Sequence, residues 1–167
     1  IELLLAFPEY KVQLPGGFSP SQNDIFILAK GTNQLISIMV EGKVSEPFDK
    51  IIDEWKEDSS EGKQKRLKFL LEVLGLEGNK QIGSIRYQLL HRTASAIIEA
   101  KKFNAENALM LVHSFSQSNE WFEDYRQFLA LFGLNGITPD SLVFAKDING
   151  IDLYFGWVRG DKEYLHK

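Results

Sequence analysis

The sequence predicts an α/β protein with a mixed central sheet that is flanked by helices. Short apolar runs, of the length that buried strands have, occupy three parts of the chain: 25–28, 35–40 and 107–115. Apolar residues recur at helical spacing in four further segments: 47–57, 63–74, 85–102 and 119–132. Because these helices separate or follow the strands, we expect them to pack against one sheet.

The first residues are expected to be the end of a helix followed by a strand. Residues 1–7 are short and strongly apolar, and Pro8 would stop a helix there. Residues 9–14 alternate well enough for a strand, which the Pro15-Gly16-Gly17 turn would end. The chain starts at Ile1 rather than at Met, which indicates a fragment or a processed form.

The stretch 21–44 carries the most chemical information. Its two apolar runs flank a polar, glycine-containing connection at 30–34, which predicts a β-hairpin. Asp24 opens the first strand, while Glu41 and Lys43 close the second and project from the same face. Hairpin pairing would bring Asp24 alongside them. Two carboxylates beside one ammonium are able to hold a hard divalent cation and to position a water molecule.

A basic patch is predicted on the helix at 63–74, because apolar residues occupy one face and cations the other. The cations are Lys63, Lys65, Arg66 and Lys68. This patch is the best candidate for contacting a phosphate backbone, although a charged solvent face explains it equally well.

The most regular helix covers 85–102, and it places Gln88 and Arg92 on a shared face. The nearly continuous apolar run at 107–115 predicts a strand that is covered on both faces. A terminal hairpin over 142–158 would turn at Asn149-Gly150, and the residues after 160 would add a helical turn.

Bulk composition narrows the class of protein. A chain of 167 residues suits a single domain, spanning 1–167. The net charge of −4 argues against general adhesion to nucleic acid, although a local basic surface is sufficient for binding. The absence of cysteine excludes disulfides and is compatible with the cytoplasm, where we expect the protein. No apolar run is long enough for a membrane span, so no membrane partner is expected.

Asn23-Asp24, followed after a hairpin by Glu41-Gly42-Lys43, resembles the PD-(D/E)XK nuclease superfamily with its restriction-endonuclease-like fold. The stretches VEGKVSEPF, RYQLLHRTASAI and LMLVHSFS are similar to an uncharacterised bacterial branch of that superfamily. The resemblance implies an αβββαβ core over about 1–115, with an inserted helical pair. Residues 116–167 would then be a family-specific helix and hairpin.

The resemblance also implies a metal-dependent nuclease that hydrolyses phosphodiester bonds, with DNA as the expected substrate. Asp24, Glu41 and the carbonyl of Gly42 would bind Mg²⁺, with Mn²⁺ as a substitute. Lys43 would orient the attacking water and offset the charge that develops on phosphorus.

Supporting roles follow from the same resemblance. Gln88 and Arg92 would bind the scissile phosphate or order the water, and Glu2 would reach the site from an N-terminal helix. A homodimer is compatible with the superfamily, in which many nucleases act as dimers.

Two alternatives stay open: a non-catalytic interaction module, and a hydrolase that acts on something other than nucleic acid. Glu41 and Lys43 would also make an ordinary ion pair at a sheet edge, and the chain would then be a non-catalytic interaction module on the same fold. The triplet itself is weak, since Glu61-Gly62-Lys63 repeats it in a polar segment that predicts a helix start. The sequence contains none of the residue patterns of other common catalytic sites, because it lacks cysteine, a Gly-x-Ser-x-Gly elbow and a His-Glu-x-x-His pair.

Overall fold

The computed structural model describes residues 1–58 and 60–166. In this part of the chain six strands form one sheet: β1 (Glu2–Val12), β2 (Ser21–Lys30), β3 (Leu35–Lys43), β4 (Asn107–Ser114), β5 (Ser141–Ile148) and β6 (Ile151–Arg159). The helices are α1 (Ile52–Trp55), α2 (Glu61–Leu74), α3 (Tyr87–Phe103) and α4 (Phe122–Ala130), with 3₁₀ turns at Ile82–Ser84 and Lys162–His166. The α/β class is therefore confirmed.

The sheet is mixed, with the spatial order β1-β2-β3-β4-β6-β5. β1, β2 and β3 form an antiparallel meander, α3 then crosses to β4 parallel to β3, and β6 lies parallel to β4. β5 is the antiparallel outer strand. The carboxyl ends of β3, β4 and β6 consequently meet at one edge of the sheet, next to the start of β2.

The N-terminal helix predicted at 1–7 is wrong, because residues 2–7 belong to β1. Pro8 is tolerated there since β1 is an edge strand, where one side of the backbone forms no ladder bonds. Glu9 takes a positive φ of 52°, and the register with β2 shifts between Leu3 and Leu5. The apolar run resembles a helix end because both faces of this irregular strand carry apolar side chains.

The helix predicted at 47–57 is much shorter in the structure, where only the single turn of α1 forms. Ile51 forms an antiparallel bridge with Arg86, and the Ile52 N–H donates to the Ile85 carbonyl at 2.9 Å. This long-range pairing occupies backbone groups that a longer helix would have used. α2, α3 and the Asn149-Gly150 hairpin occur as predicted, whereas α4 starts only after Trp121, which has a φ of 65°.

The core lies between the helices and one face of the sheet. The Ser37 hydroxyl of β3 donates to the Ala96 carbonyl of α3 at 2.9 Å, so helix and sheet are in close contact. Further along this face, Trp157 of β6 packs on Tyr125 of α4 with ring centroids 5.2 Å apart. The segment after 115 therefore forms part of the central core.

Coverage of β4 on both faces, which the sequence predicted, is wrong. Ala108, Met110 and Val112 are fully buried against the helices, whereas Leu109 and Leu111, which point the other way, are only partly buried. The described residues therefore leave the second face of the sheet only partly covered. None of the helices in the described residues has the length and apolar character that a membrane span requires.

Candidate active site

Strands β2 and β3 bring the predicted site residues to the carboxyl end of β3. Ile25 and Val40 are the last register partners of the hairpin, so Asp24 and Glu41 are the next residues on the two strands. The Asp24 Oδ2 accepts a hydrogen bond from the backbone N–H of Gly42 at 2.7 Å. The hairpin therefore places Asp24 beside the Glu41-Gly42-Lys43 segment, as predicted.

Glu41 is buried, with only 2% of its surface exposed, and three donors hold its carboxylate. Oε1 lies 3.0 Å from Lys43 Nζ and accepts from Gln88 Nε2 at 2.7 Å. Oε2 accepts from Arg92 Nε at 2.5 Å. Because Lys43 and Arg92 are also buried, a low-dielectric environment strengthens these contacts.

The Lys43 ammonium, like the Glu41 carboxylate, has several partners within contact distance. Besides Glu41, it donates to Gln88 Oε1 at 3.0 Å and to the Pro47 carbonyl at 3.4 Å. It also lies 5.0 Å from the centroid of the Phe48 ring. The Gln88 amide therefore connects the acid and the base of the motif, and it fixes their relative position.

Gln88 and Arg92 lie together on α3, as their spacing predicted, and both reach Glu41. The sequence did not reveal the cluster behind them. The Ser21 hydroxyl at the start of β2 lies 2.8 Å from His91 Nδ1, 3.0 Å from the Ser95 hydroxyl and 3.5 Å from Arg92 Nη1. These four side chains and Glu41 form one polar chain between β2 and α3.

His91 is electrically neutral in this cluster. Burial lowers its pKa well below the usual value, and the positive charges of Arg92 and Arg66 lower it further. The neutral imidazole and the Ser21 hydroxyl can share one proton in their hydrogen bond. His91 thus joins the network without adding a third positive charge.

Asp24 differs from Glu41 because it is only half-buried. A Cβ placed on Gly42 would lie 3.4 Å from Asp24 Oδ2, so the carboxylate approaches this glycine on the side where other residues carry a side chain. In the described residues, Asp24 and Glu41 share no hydrogen-bond partner. Asp24 is the more accessible carboxylate of the site, and Glu41 is the enclosed one.

The supporting role predicted for Glu2 is wrong. Glu2 pairs with Lys30 at the far end of β2, six residues from Asp24. At roughly 3.3 Å per residue this separation is about 20 Å, well beyond the reach of a side chain. The residue was expected on a helix that the structure replaces with β1.

The basic patch on α2 is partly engaged in intramolecular contacts. Lys63 contacts Asp58 and donates to the Trp55 carbonyl at 2.6 Å, and Arg66 donates to the Pro15 carbonyl at 3.0 Å. Lys68 lies 3.7 Å from Glu72, and Lys65 is exposed. The patch thus anchors the loop after β1, and Lys65 and Lys68 are its outward-facing cations.

The residues at the end of β3 offer the oxygen ligands that Mg²⁺ prefers. Lys43, Gln88 and Arg92 use three of about four lone-pair positions on the Glu41 carboxylate, which leaves one on Oε2. The described residues contain no group of three or more His, Cys, Asp or Glu side chains able to hold a metal. A metal here would take Asp24, Glu41 and a backbone carbonyl, with water completing its shell.

No curated protein and no solved structure matches the chain. A protein family matches residues 1–162, which include all six strands and every residue of the site. The chain therefore belongs to the family described as Domain of unknown function (DUF6946).

Proposed function

We propose that this protein is a metal-dependent nuclease that hydrolyses phosphodiester bonds of nucleic acid, with DNA as the expected substrate. One observation carries the proposal: the Asp24 carboxylate binds the N–H of Gly42, between Glu41 and Lys43. Asp24, which precedes Gly42 by 18 residues, thereby meets the Glu41-Gly42-Lys43 segment at the end of β3. The order of three antiparallel strands, a helix and a parallel strand, which the PD-(D/E)XK resemblance implies, supports the same proposal.

Asp24, Glu41 and the carbonyl of Gly42 would hold Mg²⁺. When bound, the metal would polarise the phosphodiester and make a bound water more acidic. Lys43 places an ammonium beside Glu41, where it would donate to the attacking water or to a phosphate oxygen. Gln88 fixes the position of Lys43 relative to Glu41, because it accepts a hydrogen bond from Lys43 and donates one to Glu41.

The charges of the site predict that metal and nucleic acid bind together. The formal charges of Asp24 and Glu41 cancel those of Lys43 and Arg92, so the cluster is neutral. Mg²⁺ alone would leave two uncompensated positive charges, and a phosphodiester would remove one of them. We therefore expect metal affinity to increase when DNA is present.

Asp24→Asn is the variant that tests the proposal most cleanly. The amide oxygen of asparagine is able to accept the Gly42 N–H, so the fold should persist while the negative charge is lost. We expect wild type to cleave DNA with Mg²⁺ or Mn²⁺ and Asp24→Asn to lose that activity. Glu2→Gln is the matched control, because it removes a carboxylate at the far end of β2. Full activity in Asp24→Asn would contradict the proposal.

A non-catalytic interaction module is the second candidate, and the engagement of Glu41 by three donors favours it. A carboxylate that is 2% exposed and bound by three donors is also what a structural ion cluster requires. Such a module has no reason to bind Mg²⁺ at Asp24. Metal binding that depends on Asp24 therefore separates the two candidates.

A further inference from the structure

Trp121, the residue before α4, is a large aromatic side chain at the rim of the candidate active site. Its indole N–H donates to the Ser45 carbonyl at 2.9 Å. Ser45 follows Lys43 by two residues, so their Cα atoms are at most about 7 Å apart. The chain that leads to Trp121 leaves β4 at Phe115, whose backbone N–H donates to the Lys43 carbonyl at 2.7 Å. Both contacts place the indole near the carboxyl end of β3.

Arg86 covers one face of the indole ring. Its guanidinium carbon lies 5.6 Å from the ring centroid, within the range of a cation–π contact. Two hydrogen bonds fix this guanidinium: Nε donates to Asp124 Oδ2 at 2.7 Å, and Nη1 donates to the Asp49 carbonyl at 3.0 Å. Arg86 precedes Gln88 by two residues. It therefore joins Trp121 to the helix that supplies side chains to the site.

The remainder of the indole ring is open to water. Trp121 is 36% exposed, whereas Trp157 is fully buried and Trp55 stacks on Tyr87 with ring centroids 4.0 Å apart. Arg86 covers one face and the N–H edge binds a carbonyl, so the exposed surface lies on the second face and the outer edge. A fixed aromatic ring with one open face is the kind of surface on which nucleobases stack.

The backbone at position 121 disfavours a bulky side chain. Trp121 has a φ of 65°, in the left-handed region that glycine and asparagine adopt most readily. It is also the N-cap residue of α4, where serine, threonine, aspartate or asparagine is preferred, and its side chain makes no capping hydrogen bond. Two local preferences therefore oppose tryptophan at this position. Strain of this kind beside a candidate site indicates that the side chain is required for function.

We propose that Trp121 stacks on an unpaired base of the nucleic acid, close to the phosphate held at the candidate active site. The inference rests on the proposed function, because it takes nucleic acid to bind at the end of β3. A stacked strand advances about 3.4 Å per nucleotide, so a ring beside Ser45 lies a few nucleotides from a phosphate at Lys43. Inside a duplex, neighbouring bases cover both faces of each base, and exposing one costs free energy. The substrate class is therefore nucleic acid that is single-stranded next to the cleaved bond.

Stacking supplies the attraction at this rim, because its charges are already balanced. Arg86 is paired with Asp124. The Glu46 carboxylate accepts the N–H groups of Val44 at 3.2 Å and Ser45 at 3.1 Å, so these groups give the rim no excess of positive charge. Contacts to phosphate weaken as the salt concentration rises, whereas stacking does not release counterions. The ratio of affinities between wild type and a variant without the ring should therefore be the same at about 50 mM and about 200 mM salt.

Fluorescence anisotropy of a labelled single strand of about 12 nucleotides, titrated with the full chain, tests the proposal. The titration is done in EDTA and in Ca²⁺, which takes the same oxygen ligands as Mg²⁺ in a looser geometry, and a gel confirms that the strand stays intact. We expect Trp121→Ala to weaken binding roughly 5- to 150-fold, the range that stacking of one base gives. Trp121→Phe keeps an aromatic face but loses the donor to Ser45, so it should retain most of the affinity.

Phe144→Ala is the matched control. Phe144 is also an exposed aromatic residue, at 50%, but it lies on β5, three strands away from β3. This variant should bind as wild type does. A second control replaces the bases of the strand with abasic sites and keeps its phosphates, and wild type and Trp121→Ala should bind this strand equally. A duplex of the same length should bind more weakly than the single strand, with no effect of Trp121→Ala.

Circular dichroism of each variant confirms folding before its affinity is interpreted. If Trp121→Ala is unfolded, Trp121→Leu replaces it, because leucine keeps more of the apolar volume without an aromatic face. Equal affinity of wild type and the folded non-aromatic variant would overturn the proposal. A wild type that binds no single strand in either condition would overturn it as well. So would an equal loss in Trp121→Phe and Trp121→Ala, because the indole would then act only by holding Ser45.

A separate cleavage assay with Mg²⁺ distinguishes this inference from the proposed function. Binding that depends on Trp121 without any cleavage would support the stacking role and contradict the nuclease. Cleavage by a protein whose binding is unaffected by Trp121→Ala would contradict the stacking role alone.

Discussion

Arg92→Met should destabilise the fold by removing one of the three donors that hold the enclosed Glu41 carboxylate. Arg92 Nε lies 2.5 Å from Glu41 Oε2, and the two side chains are 8% and 3% exposed. Removing one partner of a buried ion pair costs about 3–5 kcal/mol, because the remaining charge stays buried without compensation. Lys43 still compensates Glu41, so we expect the lower end, about 3 kcal/mol.

Urea denaturation, monitored by circular dichroism, measures this cost. In a domain of this size, 3 kcal/mol corresponds to a decrease in Tm of about 6–12 °C. Arg126→Met is the matched control, since Arg126 Nη1 lies 2.7 Å from Glu123 on α4 with both side chains exposed to water. An exposed pair contributes at most about 1 kcal/mol.

If Arg92→Met lowers the free energy of unfolding by no more than Arg126→Met does, the buried ion pair does not stabilise the fold as argued. A double-mutant cycle with Glu41→Gln then measures the interaction itself, for which residues in direct contact give about 0.5–3 kcal/mol. If Arg92→Met is destabilising as expected, lost activity in that variant says nothing about catalysis. The half-buried Asp24 is for this reason the better position for functional tests.

Two further predictions concern stability. Burial keeps the pKa of His91 well below its usual value. Below about pH 6.5 the unfolded chain therefore takes up a proton that the folded protein does not. As the pH falls further, the free energy of unfolding should decline by up to about 1.4 kcal/mol per pH unit. Urea melts at several pH values should show this decline in His113→Gln and a weaker decline in His91→Gln; equal slopes would contradict the assignment. Gly16→Ala should be clearly more destabilising than Gly136→Ala in the same melts. Both glycines have positive φ, 81° and 70°, which costs alanine about 1–2 kcal/mol, but only the Cβ at Gly16 would collide with the Gly62 carbonyl. Equal losses would show that the loop moves away from α2.

Short-range patterns predicted much of the site. The hairpin placed Asp24 next to the Glu41-Gly42-Lys43 segment, and the four-residue spacing of Gln88 and Arg92 placed both on one face of α3. These relations need only the geometry of one hairpin and one helix. The contact of that helix face with Glu41 depended on the strand–helix–strand order.

Local sequence patterns do not predict the contacts between distant segments. Ser21 and His91 are 70 residues apart, and only the packing of β2 on α3 brings them together. The backbone bridge between Ile51 and Arg86 replaced most of a predicted helix for the same reason. An apolar pattern shows which faces avoid water and leaves the partner of each face unspecified.

Strands β1 and β4 illustrate that difference. Residues 1–7 are apolar enough for a buried helix, yet residues 2–7 belong to an edge strand that also contains Pro8. The run at 107–115 is apolar on both sides, which is typical of a strand between two layers, but the described residues cover it on one side. The sequence correctly indicated apolar surface in both places, and the structure shows where it lies.

Calorimetric titration of Mg²⁺ and Mn²⁺ into wild type and Asp24→Asn tests the central proposal most directly. It reports on the site even where the right nucleic acid is missed, and it should be repeated with mixed DNA substrates present. The proposed nuclease binds metal, binds it more tightly with DNA, and loses this binding in Asp24→Asn. Absence of metal binding in wild type, alone and with DNA, would contradict the proposal and leave the buried Glu41, Lys43 and Arg92 cluster as a structural element of an interaction module.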